Sequence, residues 1–256
     1  MAKSLHNKRI LTTRPAHQAD TWDALLCAEG ATVDSIPMLA IAPLTEGTAQ
    51  QAIKKRILDF DQVDFAIFVS QNAVRYAVDW LEDYWPQIPQ GPRYFAIGAA
   101  TAKALLARGI SCEHGGEHMN SEDLLAQPAL QEISEQRVLI FRGAGGRTLI
   151  GDTLRARGAR VDYCELYRRC LPTNAPADLA QYAFAPDAIT VHSGETLANL
   201  HTCIERSNCE RLLQAALICP SARVAEQARA LGFTHAYTAL NAGDSAMLEA
   251  LLKALG

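Results

Sequence analysis

Apolar residues in this chain form short continuous runs separated by longer segments with helical spacing, and the arrangement occurs twice. The run Arg9-Ile-Leu-Thr-Thr-Arg-Pro-Ala16 resembles Arg137-Val-Leu-Ile-Phe-Arg-Gly-Ala144. At the same offset of 128 residues, Glu29-Gly-Ala-Thr-Val33 resembles Arg157-Gly-Ala-Arg-Val161. Each copy reads as a buried strand, a turn, an amphipathic helix and a second strand. Ala19, Trp22, Leu25 and Leu26 mark one face of the first helix, and Leu149, Ile150, Thr153 and Leu154 mark one face of its copy, with the spacing of a 3.6-residue period.

Three further units repeat. Asp64-Phe-Ala-Ile-Phe-Val-Ser-Gln-Asn72 matches Asp187-Ala-Ile-Thr-Val-His-Ser-Gly-Glu195, a strand running into a serine-bearing turn. The helices predicted behind these turns carry Val74, Ala77, Val78 and Leu81 in one and Leu197, Leu200 and Ile204 in the other. Phe95-Ala-Ile-Gly-Ala-Ala-Thr101 pairs with Leu217-Ile-Cys-Pro-Ser-Ala-Arg223, and their helices are expected to end at Gly109 and Gly232, where glycine suits a C-terminal cap. In the fourth pair, Ser121 and Ser245 are expected as helix N-caps.

Strands alternating with helices imply βαβ units and parallel sheets. Two sets of four units imply two similar α/β domains of about 125 residues each, a common domain size; one ten-stranded sheet is the weaker alternative. The repeat leaves open how the units are shared. Tandem domains would divide near residue 130. A swapped arrangement would join the first unit to the last three and leave residues of about 39–170 as an insertion. Ile36-Pro-Met-Leu-Ala-Ile-Ala-Pro43 and Glu165-Leu-Tyr-Arg-Arg-Cys-Leu-Pro172, apolar runs ending in proline, are candidate crossings.

Composition narrows the class. Hydrophobic residues make up 49% of the chain and charged residues 20%, enough apolar mass for one large core or two smaller ones. No run of about 18 apolar residues exists to span a membrane, and the basic first residues lack the apolar stretch of a secretory signal. The seven cysteines are scattered with no C-x-x-C pair, so free thiols in a reducing cytoplasm are expected. A net charge of −4 argues against nucleic acid as a partner while leaving room for an anionic ligand at a locally positive cleft.

Ligands of parallel α/β sheets sit beyond the carboxyl ends of the strands, where backbone N–H groups and helix N-termini form anion sites. Arg142-Gly-Ala-Gly-Gly-Arg147 is such a turn, with three glycines for close backbone approach and two arginines for charge. It is neither G-x-G-x-x-G nor Walker A, and reads as a carboxylate or phosphate cradle, or as a turn whose arginines face water. Arg14 holds the matching place in the first copy, followed by Pro15 at the expected first helical position. It suits a bidentate carboxylate clamp or an ion pair with Asp20 or Asp23. Ser70, Thr101, Ser193 and Ser221 fall at strand-to-helix turns, where capping is their ordinary role. Cys112, His114 and His118 could bind metal, but their spacing fits no standard zinc pattern. His192, at a strand end, reads as a neutral hydrogen-bonded imidazole or a proton carrier. Neither Ser70 nor Ser193 lies in a G-x-S-x-G elbow, which disfavours a serine hydrolase. Tyr167, in the second crossing, is either an apolar spacer or a hydroxyl delivered into a site.

Together these motifs resemble the uroporphyrinogen-III synthase family. The family's opening is similar to Leu11-Thr-Thr-Arg-Pro15, and its first T-S-x-N-A-V pattern to Val69-Ser-Gln-Asn-Ala-Val74. Its glycine turn is similar to Ala96-Ile-Gly-Ala-Ala-Thr-Ala102, its R-G-x-x-G-R stretch to Arg142–Arg147, and its E-x-Y-R-R crossing to Glu165-Leu-Tyr-Arg-Arg169. The resemblance runs from about residue 9 to 253. The chain departs from it at His192-Ser193-Gly194-Glu195, where the family often repeats T-S-x-x-A-V, and at Cys219-Pro220, where Gly-Pro is usual.

The resemblance implies an α/β protein of two flavodoxin-like domains with parallel sheets, related by duplication and joined by two crossings: residues 1–38 with 171–256, and 39–170, with the active-site cleft between them. It implies dehydration and cyclisation of hydroxymethylbilane to uroporphyrinogen III with ring D inverted, without cofactor or metal. Tyr167 would be the acid. Arg14, Ser70, Gln71, Asn72, Gly98, Thr101, Arg142, Gly143, Gly146, Arg147, Ser193, Gly194 and Ser221 would hold the substrate's carboxylates. The expected partners are the tetrapyrrole substrate and, transiently, the enzyme that supplies it, with no nucleic acid and no membrane, and the enzyme acting as a monomer. If positioning dominates catalysis, single changes of these turn hydroxyls to alanine are expected to cost about tenfold or less, and Tyr167→Phe about a hundredfold. The competing expectation is a non-catalytic two-domain protein that binds carboxylates or other anions.

Overall fold

A computed structural model describes residues 4–114 and 120–256. Along the chain the strands are β1 (Arg9–Thr12), β2 (Thr32–Ser35), β3 (Ala40–Pro43), β4 (Phe65–Phe68), β5 (Arg93–Ala96), β6 (Arg137–Gly143), β7 (Arg160–Cys170), β8 (Ala188–Thr190), β9 (Ala216–Cys219) and β10 (His235–Thr238). They form two five-stranded sheets, ordered β10-β9-β8-β1-β2 and β3-β7-β6-β4-β5. The chain divides into two compact units, one of residues up to Ala40 with Cys170–Gly256, the other Ile41–Arg169.

In the first unit, β1 pairs in parallel with β2 on one side and β8 on the other, and β8, β9 and β10 continue in parallel. The strand Ile10–Thr12 thus lies beside Ala188–Thr190 rather than beside Phe65–Phe68. The continuous apolar runs follow from burial on both faces. Leu11, Ile189 and Leu217 enter one core cluster, while their neighbours Ile10, Ala188 and Ile218 enter another. The first cluster is closed by Leu197, Leu200 and Ile204 of helix Gly194–Ser207, the second by Trp22, Leu26, Met247 and Leu251.

The second unit repeats this logic. Ala66, Phe68, Leu139 and Phe141 point to one cluster; Phe65, Ile67, Val138 and Ile140 point to the other. The pairs β4–β5, β4–β6 and β6–β7 are parallel. Phe68 and Phe141 stack with ring centres 4.7 Å apart, which fixes neighbouring strands through aromatic contact as well as the hydrogen-bond ladder.

Several local expectations are corrected. Asn120, not Ser121, caps helix Ser121–Leu125, through a reciprocal capping box with Asp123. Ser245 lies inside helix Asp244–Leu255, which Gly243 caps. Pro15 is the N-cap of helix Ala16–Ala28 rather than its first residue. Thr101 is the third residue of helix Ala99–Leu106, which begins after Gly98, and it is buried. Gly98, with φ +80°, a left-handed value that a side chain disfavours, holds the cap position three residues earlier than the hydroxyl pattern suggests. Leu149 is exposed, so its helix face is narrower than the spacing implied.

Candidate active site

The carboxyl end of the second unit's sheet gathers four of the predicted motifs. Helix Gln71–Tyr84 starts behind β4 because Ser70 caps it: the Ser70 hydroxyl oxygen accepts the Ala73 N–H at 3.1 Å. Val74, Ala77, Val78 and Leu81 bury the helix's inner face. Gln71 is exposed and Asn72 half-buried at its first turn. The register of β6 and β7 slips by one residue here, so that Arg142 faces Glu165 and the next residue, Gly143, faces Tyr167. Such irregularities re-aim side chains at sheet ends.

Tyr167 is consequently clamped. Its ring is buried, 6% exposed, and tilts against Tyr76 with centres 5.7 Å apart. A Cβ on Gly143 would lie 2.6 Å from Tyr167 Cε2, so only glycine leaves room for the ring. The Tyr167 carbonyl accepts the Ala144 N–H at 2.7 Å. Its hydroxyl lies 2.8 Å from Ser70 Oγ.

The glycine turn differs from the simple cradle expected. Arg142 is 5% exposed and directs its guanidinium into its own loop. Its Nε donates to the Gly143 carbonyl at 3.1 Å and its Nη1 to the Arg147 carbonyl at 3.0 Å, while the guanidinium carbon lies 4.8 Å from the Tyr163 ring centre. A Cβ on Gly146 would collide with Arg142 Nη2, so this glycine exists to let the arginine fold inward. The Gly145 N–H already meets a carboxylate, Glu165 Oε1 at 3.3 Å, and that oxygen lies 3.9 Å from Arg142 Nε. Arg142 therefore braces the loop instead of facing outward, while Arg147 is exposed at its rim. Glu165 lies within the crossing motif, yet its spacing signals no role; the role depends on the slipped register.

In the first unit, Ser193 and Ser221 cap helices Gly194–Ser207 and Ala222–Ala230, accepting from Thr196 N–H at 3.0 Å and from Val224 N–H at 3.5 Å. Ser193 Oγ also lies 2.8 Å from Thr196 Oγ1. Gly194 faces Gln227, whose Oε1 would be 3.1 Å from an added Cβ. Arg14 pairs with neither Asp20 nor Asp23. Its Nη2 meets Asp244 Oδ1 at 2.5 Å and the Ala242 carbonyl at 3.3 Å, with its guanidinium 5.5 Å from the Trp22 ring centre. The Trp22 indole donates to Thr190 Oγ1 at 3.3 Å, and the Thr13 hydroxyl donates to the Thr190 carbonyl at 2.7 Å.

His192 packs edge-on to Trp22, centres 5.5 Å apart, and both ring nitrogens are buried without a partner among the described residues. Burial, helped by nearby Arg14, holds its pKa down at about 3, so the imidazole is neutral at physiological pH. It is not the hydrogen-bonded histidine expected. Cys164 and Cys219 are buried thiols pushed up to about 12, which makes them inert packing groups. Among the described residues no group of three or more His, Cys, Asp or Glu is placed to hold a metal ion. His118 lies outside the described residues.

A family model described as uroporphyrinogen-III synthase HemD matches residues 20–249. The chain is 36% identical over 246 residues to the uroporphyrinogen-III synthase of Salmonella typhimurium, covering 94% of this chain and 99% of that one. The same values hold for the Escherichia coli K12 enzyme. In fold it is similar to a mutant uroporphyrinogen III synthase from the extremely thermophilic bacterium Thermus thermophilus, with a TM-score of 0.60 at 17% identity over 97% of this chain and 98% of that one. It is also similar to uroporphyrinogen-III synthetase of Helicobacter pylori, with a TM-score of 0.58 at 14% identity over 96% and 99%. A match of this length at this identity, joined to α/β structure with parallel sheets, makes the chain a member of the uroporphyrinogen-III synthase family.

Proposed function

We propose that this protein converts hydroxymethylbilane to uroporphyrinogen III. The observation that carries the reading is the 36% identity spanning 99% of the Salmonella enzyme, which leaves almost no part of that relative's chain unaccounted for. In this reading the substrate's hydroxymethyl hydroxyl leaves as water, taking a proton from Tyr167, and an electrophilic azafulvene remains. The substituted carbon of ring D attacks it, and the resulting spiro intermediate reopens and closes with ring D inverted. The pyrroles are electron-rich enough to supply most of the reactivity, so the protein's main work is positioning.

Eight carboxylates need many shallow contacts. Amide groups at the starts of the helices behind Ser70, Gly98, Ser193 and Ser221 suit them, assisted by Gln71, Asn72, Gly194, Arg147 and Arg14. Thr101, Arg142, Gly143 and Gly146 act beneath this layer by shaping the turns.

The strand orders support reading the two units as copies of one flavodoxin-like fold. Order β2-β1-β8-β9-β10 is 2-1-3-4-5 within its unit, and β7-β6-β4-β5 follows the same course through the repeated segments. Domains of 1–38 with 171–256, and of 39–170, follow from that reading. We place the enzyme in the cytoplasm, acting as a monomer on substrate passed from the preceding enzyme. Seven unpaired cysteines support the reducing compartment, and no helix among the described residues is long and apolar enough to cross a membrane.

The test is to supply hydroxymethylbilane and separate the product isomers. Uroporphyrinogen III in excess of the non-inverted isomer, which forms spontaneously, is the expected result. Binding without a change in isomer ratio would instead mark a non-catalytic anion-binding protein.

A further inference from the structure

Three serines cap helices at strand ends, but their hydroxyls differ in what else they reach. Among the described residues Ser221 Oγ has the Val224 N–H alone, and Ser193 Oγ has Thr196 within its own helix. Ser70 Oγ has the Ala73 N–H at 3.1 Å and, from 97 residues along the chain, the Tyr167 hydroxyl at 2.8 Å.

Either oxygen can be the donor in the second bond, and the serine's other partner bears on which one it is. A serine hydroxyl has one hydrogen to give and two lone pairs. One lone pair is taken by the Ala73 N–H. For the hydrogen, the sole acceptor within bonding distance among the described residues is the Tyr167 oxygen. We infer that Ser70 donates to Tyr167 and is the positioning residue that turns the tyrosine's own proton away from the protein and toward the reacting hydroxyl. This inference rests on Tyr167 being the acid.

The chemistry supports that direction. A phenol whose oxygen accepts a hydrogen bond gives up its proton more readily, because the bond strengthens as negative charge develops. Were the bond reversed, the acid's proton would be held on Ser70 and withheld from the leaving group. The rest of the clamp removes alternatives: Gly143 admits the ring, Tyr76 tilts against it, and the Ala144 N–H fixes its backbone. The one rotation left to the phenol is that of its hydroxyl hydrogen, and Ser70 sets it. The helix cap thereby pre-orients the acid, because the amide that occupies one of the serine's lone pairs narrows where its hydrogen can go.

The test separates capping from donation. Ser70→Thr keeps both, Ser70→Asp keeps the cap acceptor but as a carboxylate offers no hydrogen, and Ser70→Ala keeps neither. Turnover of hydroxymethylbilane, with isomers separated, is measured for these, for Tyr167→Phe and for the double variant Ser70→Ala with Tyr167→Phe. Thermal unfolding checks that each is folded. The expected result is that Ser70→Ala loses about thirtyfold in kcat with KM nearly unchanged, more than the tenfold or less expected of a cap hydroxyl alone, that Ser70→Asp loses as much in kcat with KM raised by its charge beside the substrate's carboxylates, that Ser70→Thr recovers to within about threefold of the parent, and that the double variant is no slower than Tyr167→Phe alone. A folded Ser70→Asp with wild-type kcat would reduce Ser70 to a cap. A double variant whose losses multiply would separate Ser70 from Tyr167. Either result, with Tyr167→Phe slow, overturns the inference and leaves the acid assignment standing; a Tyr167→Phe enzyme as fast as the parent overturns both.

Discussion

The guanidinium of Arg142 reaches forward five residues and donates to the carbonyl oxygen of Arg147, 3.0 Å away, closing the glycine turn on itself. With its second bond to the Gly143 carbonyl, it turns a flexible segment into a fixed ledge beside Tyr167. Removing it leaves two carbonyls without their charged donor. Arg142→Ala is expected to destabilise the protein by about 2–3 kcal/mol. Arg142→Lys should recover little, since an ammonium cannot reproduce a planar fork. Urea unfolding of the three proteins measures this. An alanine variant with an unchanged midpoint and raised KM would show the arginine to be a substrate contact after all.

Gly143 and Tyr167 share one space. Gly143→Ala puts a methyl 2.6 Å from Cε2 of the ring, and both neighbours belong to the β6–β7 pair, so the ring must move. On the role proposed for Tyr167, the expected loss in kcat is on the order of a hundredfold, as for removal of the tyrosine hydroxyl, because a displaced acid is an absent one. Kinetics of Gly143→Ala beside Tyr167→Phe decide it; a fully active alanine variant would mean that the ring's position is unimportant.

His192 makes stability depend on acidity. Its folded pKa of about 3 lies below the ordinary 6.5, because burial and Arg14 oppose its charge while Asp244 only partly offsets them. Between those values the unfolded chain carries a proton that the folded chain does not. Stability is therefore full above pH 6.5 and falls as the solution is acidified, by about 1.4 kcal/mol per pH unit from this group. His192→Leu removes two ring nitrogens that have no partner among the described residues, and should flatten that dependence. Urea midpoints at pH 7, 6 and 5 for both proteins give the answer; parallel slopes would show that His192 is protonated in the fold.

Activity is expected to survive dialysis against a chelator. The motive is spacing: Cys112, His114 and His118 do not follow a zinc ligand pattern. Turnover lost on dialysis and restored by zinc would make that segment a metal site.

Much of this could be read in the sequence because it is local. Continuous burial along Phe65–Phe68 and Val138–Phe141, the helices behind them, and the caps at Ser70, Ser193 and Ser221 depend on residues within a few positions of one another. Local reading also had failures of its own. At Ser121 and Ser245 a neighbouring residue holds the capping backbone angles, and composition does not distinguish adjacent candidates.

What tertiary structure decided is which distant groups meet. Arg14 finds Asp244 rather than the nearby Asp20 or Asp23, because parallel strands bring the turn after β1 to the start of the last helix while the helix holding Asp20 and Asp23 points them elsewhere. Arg142 turns inward because a slipped register and Gly146 open the space. Tyr167 meets Ser70 across 97 residues because β6 sits between β4 and β7 and its glycine stands aside. Sequence sets a residue's chemistry and its local backbone, whereas the partner of a side chain is set by distances of a few ångströms that only packing determines.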